Sequence, residues 1–270
     1  MEAPVLLGCQ GWNHPTWADS GRIDEPTHRE VLRNYATEFA TVEVADTFAG
    51  IPPAALLESW GSAVPEGFRF ALKVPQQITH ERRFEDAGGL LGRFLERVEV
   101  LGDNLGPLLM AMPVGFRPTQ NAVQIVKRFV DSLVPGFKWA LECRHSDWLT
   151  QELQELLRRR NVSLVLSDDR WVRRKVILGL ASEPTADFSY VRWNTSSVRG
   201  TNGRPESIGP KRTLERWSPL ISELRSRVST VFGYVSHRFG GDQFPSCVRA
   251  LRDKIEREST SLQVQLPLPP

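Results

Sequence analysis

Eight short apolar runs recur along the whole chain, and a helical pattern separates most of them. They are VLLGCQ (5–10), TVEVADT (41–47), FRFALKV (68–74), LLMAMP (108–113), KWALECR (138–144), SLVLSD (163–168), DFSYVRWN (187–194) and TVFGYVSH (230–237). Each is β-branched or aromatic and is bounded by turn residues, which predicts strands. THREVLRNYATEF (27–39) opens with a capping box, Thr27 and Glu30, and puts Val31, Leu32, Tyr35 and Phe39 on one helical face. Segments 52–60, 89–101, 119–133, 147–160, 211–226 and 244–256 read the same way, and 169–186 holds at most a short helix near 172–180. Strand and helix alternating in this manner predict parallel βα units. Eight such units over about 250 residues predict an α/β fold, a single (β/α)8 TIM-type barrel with eight parallel strands and an outer ring of helices. The competing open sheet carries a G-x-G-x-x-G turn after its first strand, and GCQGWNHP lacks it. The barrel domain is expected over 1–257, with 258–270 a flexible, polar and proline-rich tail.

Charge and cysteine usage narrow the surroundings. A net charge of +2 in 270 residues makes no global demand for nucleic acid or an anionic membrane. Arginine is dense at 158–175 and 192–212, and such runs are solvated faces or phosphate contacts. Cys9, Cys143 and Cys247 fit neither zinc spacing nor a disulfide framework. Cys9 and Cys143 lie in apolar runs and read as buried small hydrophobes. The N-terminus does not read as a signal peptide, and no apolar run approaches the ~20 residues of a membrane helix. The expectation is a reduced cytoplasmic setting with no membrane partner.

In a barrel the loops at the carboxyl ends of the strands build the site. Those ends supply Trp12 and His14, then Glu43, then Lys73 and His80, then Glu142, Arg144 and His145, then Asp168, then Arg192, then His237. Period-two alternation puts Trp139, Leu141 and Cys143 on one face and Ala140, Glu142 and Arg144 on the other. It likewise sets Lys73 with Ala71 and opposes Glu43 to Val42 and Val44. Glu43, Lys73 and Glu142 therefore point away from the helices. A buried carboxylate needs a cation or hydrogen bonds, which Lys73, Arg144 and Arg192 supply. The cluster is either a structural ion network or a ligand site whose charges tune one another. The loop GWNHPTW (11–17) reads as a stacking floor for a base or sugar, or as a rigid plug.

Taken together, GCQGWNHPTW, TVEVADTFAGIPP, FRFALKVPQQITH, LGPLLMAMP, LECRHSDW and DFSYVRW resemble, in order and spacing, the YecE-like family, also called domain of unknown function 72. The resemblance runs from Leu6 to about Leu251. It implies a TIM-type barrel and supplies no reaction. It carries over Glu43, Lys73, Thr79 and His80, Glu142, Arg144 and His145, Asp168 and Arg192. The family pattern V-E-I-N-S-T-F-Y is altered, with Ala45 for asparagine and Ala49 for tyrosine. Ala111 stands for a glutamine, and Ser236-His237-Arg238 for paired asparagines.

Three functional readings follow. The first is a hydrolase or lyase on a phosphate-bearing or nucleic-acid substrate. Lys73, Arg144 and Arg192 then hold the anion, Glu142 or Glu43 is the base, and His145 or His80 the acid. Trp12, His14, His80, Arg144, Asp168, Arg192 and His237 would line the ligand, and no cofactor is called for. The second is a divalent-metal barrel enzyme using Glu43, Glu142, Asp168, His145 and His237, against which Lys73 and Arg144 would repel the ion. The third is a non-catalytic module for an anionic ligand or a DNA-repair partner. Glycoside hydrolysis needs two carboxylates at a set separation, for which Glu43 and Glu142 qualify by type. Whether the protein is an enzyme, and its oligomeric state, stay open at this level.

Overall fold

The computed structural model describes residues 2–18, 27–169, 171–194, 197–199, 205–207 and 210–264. The strands are β1 (Val5–Cys9), β2 (Thr41–Val44), β3 (Arg69–Lys73), β4 (Leu105–Ala111), β5 (Trp139–Glu142), β6 (Val162–Leu164), β7 (Leu166–Asp168), β8 (Phe188–Trp193), β9 (Ser197–Arg199), β10 (Pro205–Ser207) and β11 (Thr230–Val235). The helices are α1 (His28–Ala36), α2 (Ala54–Gly61), α3 (Gly88–Val98), α4 (Gln120–Asp131), α5 (Gln151–Arg159), α6 (Arg174–Leu180), α7 (Pro210–Arg225), α8 (His237–Gly240) and α9 (Phe244–Val264). The alternation expected from the sequence is present throughout.

Side-chain caps set several helix starts. Thr27 and Glu30 close the expected capping box on α1, and Thr119 and Thr150 accept from Ala122 and Leu153 to start α4 and α5. The last helix runs to Val264, so residues 258–264, expected in a tail, are helical. Residues 265–270 lie outside the described residues. The antiparallel pair β9–β10 was not expected.

The other strands form two parallel sheets, β2-β3-β4-β5-β6 and β1-β11-β8-β7. β6 and β7 follow one another across Val165, whose N–H donates to Leu141 O at 2.9 Å. On the far side, Gln10 and Glu43 form one parallel bridge, and Gly11 N–H donates to Glu43 O at 2.8 Å. Tyr35 of α1 joins the same two strands. Its hydroxyl accepts from Cys9 N–H at 2.9 Å and donates to Thr41 O at 2.7 Å. A Cβ on Gly8 would meet Thr41 O at 2.0 Å, so only glycine admits this approach.

Alternate strand residues serve two apolar layers. Val42, Val44, Phe70, Leu72, Met110, Trp139 and Leu141 join the helices' Leu32, Leu57, Phe94 and Leu157 in one cluster. Each such buried side chain contributes roughly 1.5–3 kcal/mol. The opposite face forms a second cluster that draws on both sheets. There, small Ala71 and Ala140 lie among Phe188, Tyr190, Phe232 and Tyr234, small against large as dense packing requires. Lys73, Glu142 and Arg192 continue this inner face past the carboxyl end of its apolar part.

Candidate functional site

Arg192 is the centre of the inner face and is 5% exposed. Its Nε and Nη2 donate to the two oxygens of Glu43 at 2.9 and 2.7 Å, and its Nη1 to Glu142 at 2.6 Å. Glu43 also accepts from the Tyr190 hydroxyl at 2.8 Å. Arg144 reaches back from beyond β5 to the other oxygen of Glu142, with both Nε and Nη2 at 3.0 Å. Burial raises the Glu142 carboxyl, but Arg192 and then Arg144 outweigh it and hold it at about 2. The Arg192 guanidinium is pushed upward, since the two glutamates exceed the cost of its burial. These charges compensate one another as buried charges must.

Lys73 stands beside this network. Its Nζ lies 3.5 Å from the centre of the Phe48 ring. Burial first, then the positive charges of Arg144 and Arg192, lower its ammonium to about 8 despite Glu43 and Glu142. His80 meets the same Phe48 ring edge-on at 4.8 Å and bonds Thr79 Oγ1 through Nδ1 at 2.9 Å. Burial, then Lys73 and Arg144, lower its imidazole to about 4. His80 lies in a π-helical turn, Gln77–Glu81, a form that often marks functional sites. Arg83, Phe84 and Asp86 after it have positive φ, which is strained for a bulky residue such as Phe84. Phe84 is held there against Phe129 and Phe116.

A cavity of about 680 Å³ opens over these groups, with Gln10, Lys73, Arg144, Asp169, Arg192, Asn194 and Arg238 in its lining. Ala45 is in the same wall, where the family pattern has asparagine. Gln10 donates to Asn194 at 2.8 Å, and Asn194 donates to Ser167 at 2.9 Å. The alternation expected for Glu43, Lys73 and Glu142 is what the structure has, and Arg144, Arg192 and His80 join them.

Other expected residues lie elsewhere. Asp168 has the parity of Leu164 and Leu166 and faces the helices. It pairs with Arg174 of α6 at 2.7 Å and accepts from Trp217 of α7 at 2.8 Å. Trp12 is 2% exposed and packs on His28 and Trp60, so it is no stacking floor. His14 accepts from Thr16 N–H through Nδ1 at 3.1 Å, which leaves Nε2 to donate to Asp242 O at 2.9 Å. His145 caps Ser146–Trp148 by accepting from Asp147 N–H. His237 borders the cavity but is exposed, near Asp242 at 3.4 Å. With Asp168, His145 and His237 dispersed, no group of three metal-ligating side chains comes together among the described residues.

Sequence reading missed Tyr190, Gln10, Ser167 and Phe48, while Asn194 is legible beside Arg192 at the end of its strand. Tyr190 shares the parity of Arg192, so the same alternation could have found it. Nothing local in the sequence marks Phe48.

The molecule is thus an α/β protein of alternating strands and helices, with arginine-bridged glutamates beneath a cavity at the carboxyl ends of its strands. The chain belongs to the DUF72, or YecE-like, family: the model described as "Protein of unknown function DUF72" matches residues 6–270. It is 28% identical over 171 residues to UPF0759 protein YecE of Escherichia coli (strain K12), and equally to that of strain O157:H7. Each match covers 62% of this chain and 60% of the relative's length. A crystal structure of a DUF72 family protein from Enterococcus faecalis V583 superposes with a TM-score of 0.71 at 18% identity, covering 94% of this chain and 98% of that one. One from Thermotoga maritima MSB8 gives 0.70 at 21% identity, covering 95% and 99%. At these identities the likeness speaks for the fold.

Proposed function

We propose that this chain binds a small phosphate-bearing ligand in the cavity above Arg192 and acts on it as a hydrolase or lyase. Lys73, Arg144, Arg192 and Arg238 outnumber the carboxylates Glu43, Glu142 and Asp169 around that cavity. The observation that carries the reading is that Glu43 and Glu142 are already engaged by Arg192, Arg144 and Tyr190. The positive charge by which Lys73 and Arg238 exceed Asp169 is then available to an anion. A carboxylate held at about 2 is a weak base near neutrality, so Glu142 serves to position Arg192 and Arg144. Lys73, at about 8, is the group best suited to move a proton near neutrality, where the His80 imidazole, at about 4, stays neutral.

The proposed frame is one closed (β/α)8 barrel over 1–257. Supporting closure are the inner cluster shared by both sheets, the Gln10–Glu43 bridge and the continuity of β6 with β7. The carboxyl ends of barrel strands are where such folds place their sites. Among the described residues no helix is long and apolar enough to cross a membrane. Three free cysteines favour a reducing compartment, for which the cytoplasm is our proposal.

Thermal shift with inorganic phosphate, phosphate monoesters and short single-stranded oligonucleotides tests the site. Binding raises the melting temperature by mass action. A rise of several degrees with a monoester, beyond that of chloride at equal ionic strength and lost in Arg238→Ala, is expected. A response no greater than that of chloride would remove the anion site. A response to oligonucleotides alone would move the reading to nucleic acid.

A further inference from the structure

Lys73 has more freedom than a structural ion partner needs. Among the described residues it forms no ion pair, since Glu43 and Glu142 are taken by Arg192 and Arg144. Its ammonium lies over the face of Phe48. It ends β3 on the inner side and borders the open cavity, so a ligand can reach its nitrogen. His80 meets the same ring. A lysine beside other cations and partly out of water is an activated amine.

We propose that Lys73 is a nucleophile that forms an imine with an aldehyde or ketone bearing a phosphate group. The phosphate in this proposal rests on the anion reading above. The neutral Nζ attacks the carbonyl carbon, forming the N–C bond as the C=O π pair moves to oxygen, which takes a proton. Nζ then loses a proton, the hydroxyl leaves as water with a proton passed to it, and the nitrogen pair closes the C=N bond. Amine, carbonyl and one proton become the protonated imine and one water, with no change of oxidation state. Solvent in the open cavity carries the proton from nitrogen to the departing oxygen, and Arg144 and Arg238, which line that cavity, face the phosphate. The lowered Lys73 ammonium agrees with this, because a fraction of the amine is neutral near pH 7.

The test uses the full chain with pyridoxal 5′-phosphate and, in parallel, phosphate-free pyridoxal. Borohydride reduction traps any imine, and peptide mass spectrometry locates it. Lys73 should label about tenfold or more faster than Lys127, Lys138, Lys175, Lys211 and Lys254. Its rate should rise through about pH 8, below the range of ordinary lysines. The phosphorylated probe should outpace pyridoxal, and inorganic phosphate should slow it. Lys73→Arg keeps the charge and should remove this adduct alone. If Lys73 labels no faster than the other lysines with either probe, the imine proposal is overturned. If both probes label Lys73 equally and phosphate does not compete, the anion reading fails while the reactive amine is upheld.

Discussion

Glu142 on β5 and Asp168 on β7 are both carboxylates at strand ends, 1% and 2% exposed, and both are held by arginine. Their chemistry differs because they face opposite ways. Glu142 looks inward at two guanidiniums, and they overcome its burial. Asp168 looks outward, between α6 and α7, where burial outweighs Arg174 and raises its carboxyl. The inner group sits beneath a cavity, while the outer one ties β7 to two helices through Arg174 and Trp217. The same residue types one or two strands apart thus make a candidate site in one place and a staple in the other. Side-chain parity and the number of facing cations decide which.

The largest break in this comparison should come from Arg192→Met. It leaves the buried Glu43 without a paired cation and Glu142 with Arg144 alone, and should cost about 3–5 kcal/mol, read by urea denaturation. Arg174→Met should cost clearly less, since Asp168 takes up a proton readily. Equal losses would mean the two clusters are equivalent.

Acid titration separates them by sign. The folded Glu142 carboxyl lies below its unfolded value, so its stabilisation is full above the ordinary glutamate range and is lost as pH falls to about 2. That window is worth about 3 kcal/mol, and melting curves of Glu142→Gln should be flatter across it. Asp168 is raised, so its ionisation works against the fold. Its contribution makes stability fall as pH rises through its folded pKa, and Asp168→Asn should remove that slope. A shared sign would sink the distinction.

Tyr190→Phe removes one donor to the buried Glu43 carboxylate and should cost about 1.5–3 kcal/mol, again by denaturation. The smallest effect is expected from Asp168→Asn near neutrality, about 1 kcal/mol. It should leave any phosphate-induced thermal shift unchanged. Loss of that shift would return Asp168 to the ligand site.

Alternation made Glu43, Lys73 and Glu142 legible, because each has apolar neighbours that belong under the helices. Asp168 was read from its place at a strand end, and alternation, which sets it with Leu164 and Leu166 against Ser163 and Ser167, would have turned it toward the helices. Alternation could not work for His145, since β5 ends at Glu142 and the chain then turns. Trp12 and His14 lie in a loop with no period at all, and only tertiary packing shows the first buried and the second tied to Asp242. The β9–β10 pair had a signal, Asn202-Gly203 between two short runs, but those two residues lie outside the described ones.

The pairing of Val5–Cys9 with Thr230–Val235 sets an order of events on the ribosome. β1 emerges first among the strands, and its ladder partner emerges last. Until then it can hold only to β2, through the Gln10–Glu43 bridge and the Tyr35 hydroxyl. A nascent chain stopped short of β11 therefore presents an open parallel edge, the kind of surface that recruits chaperones or other chains. Translation of the final strand is the step that retires that edge.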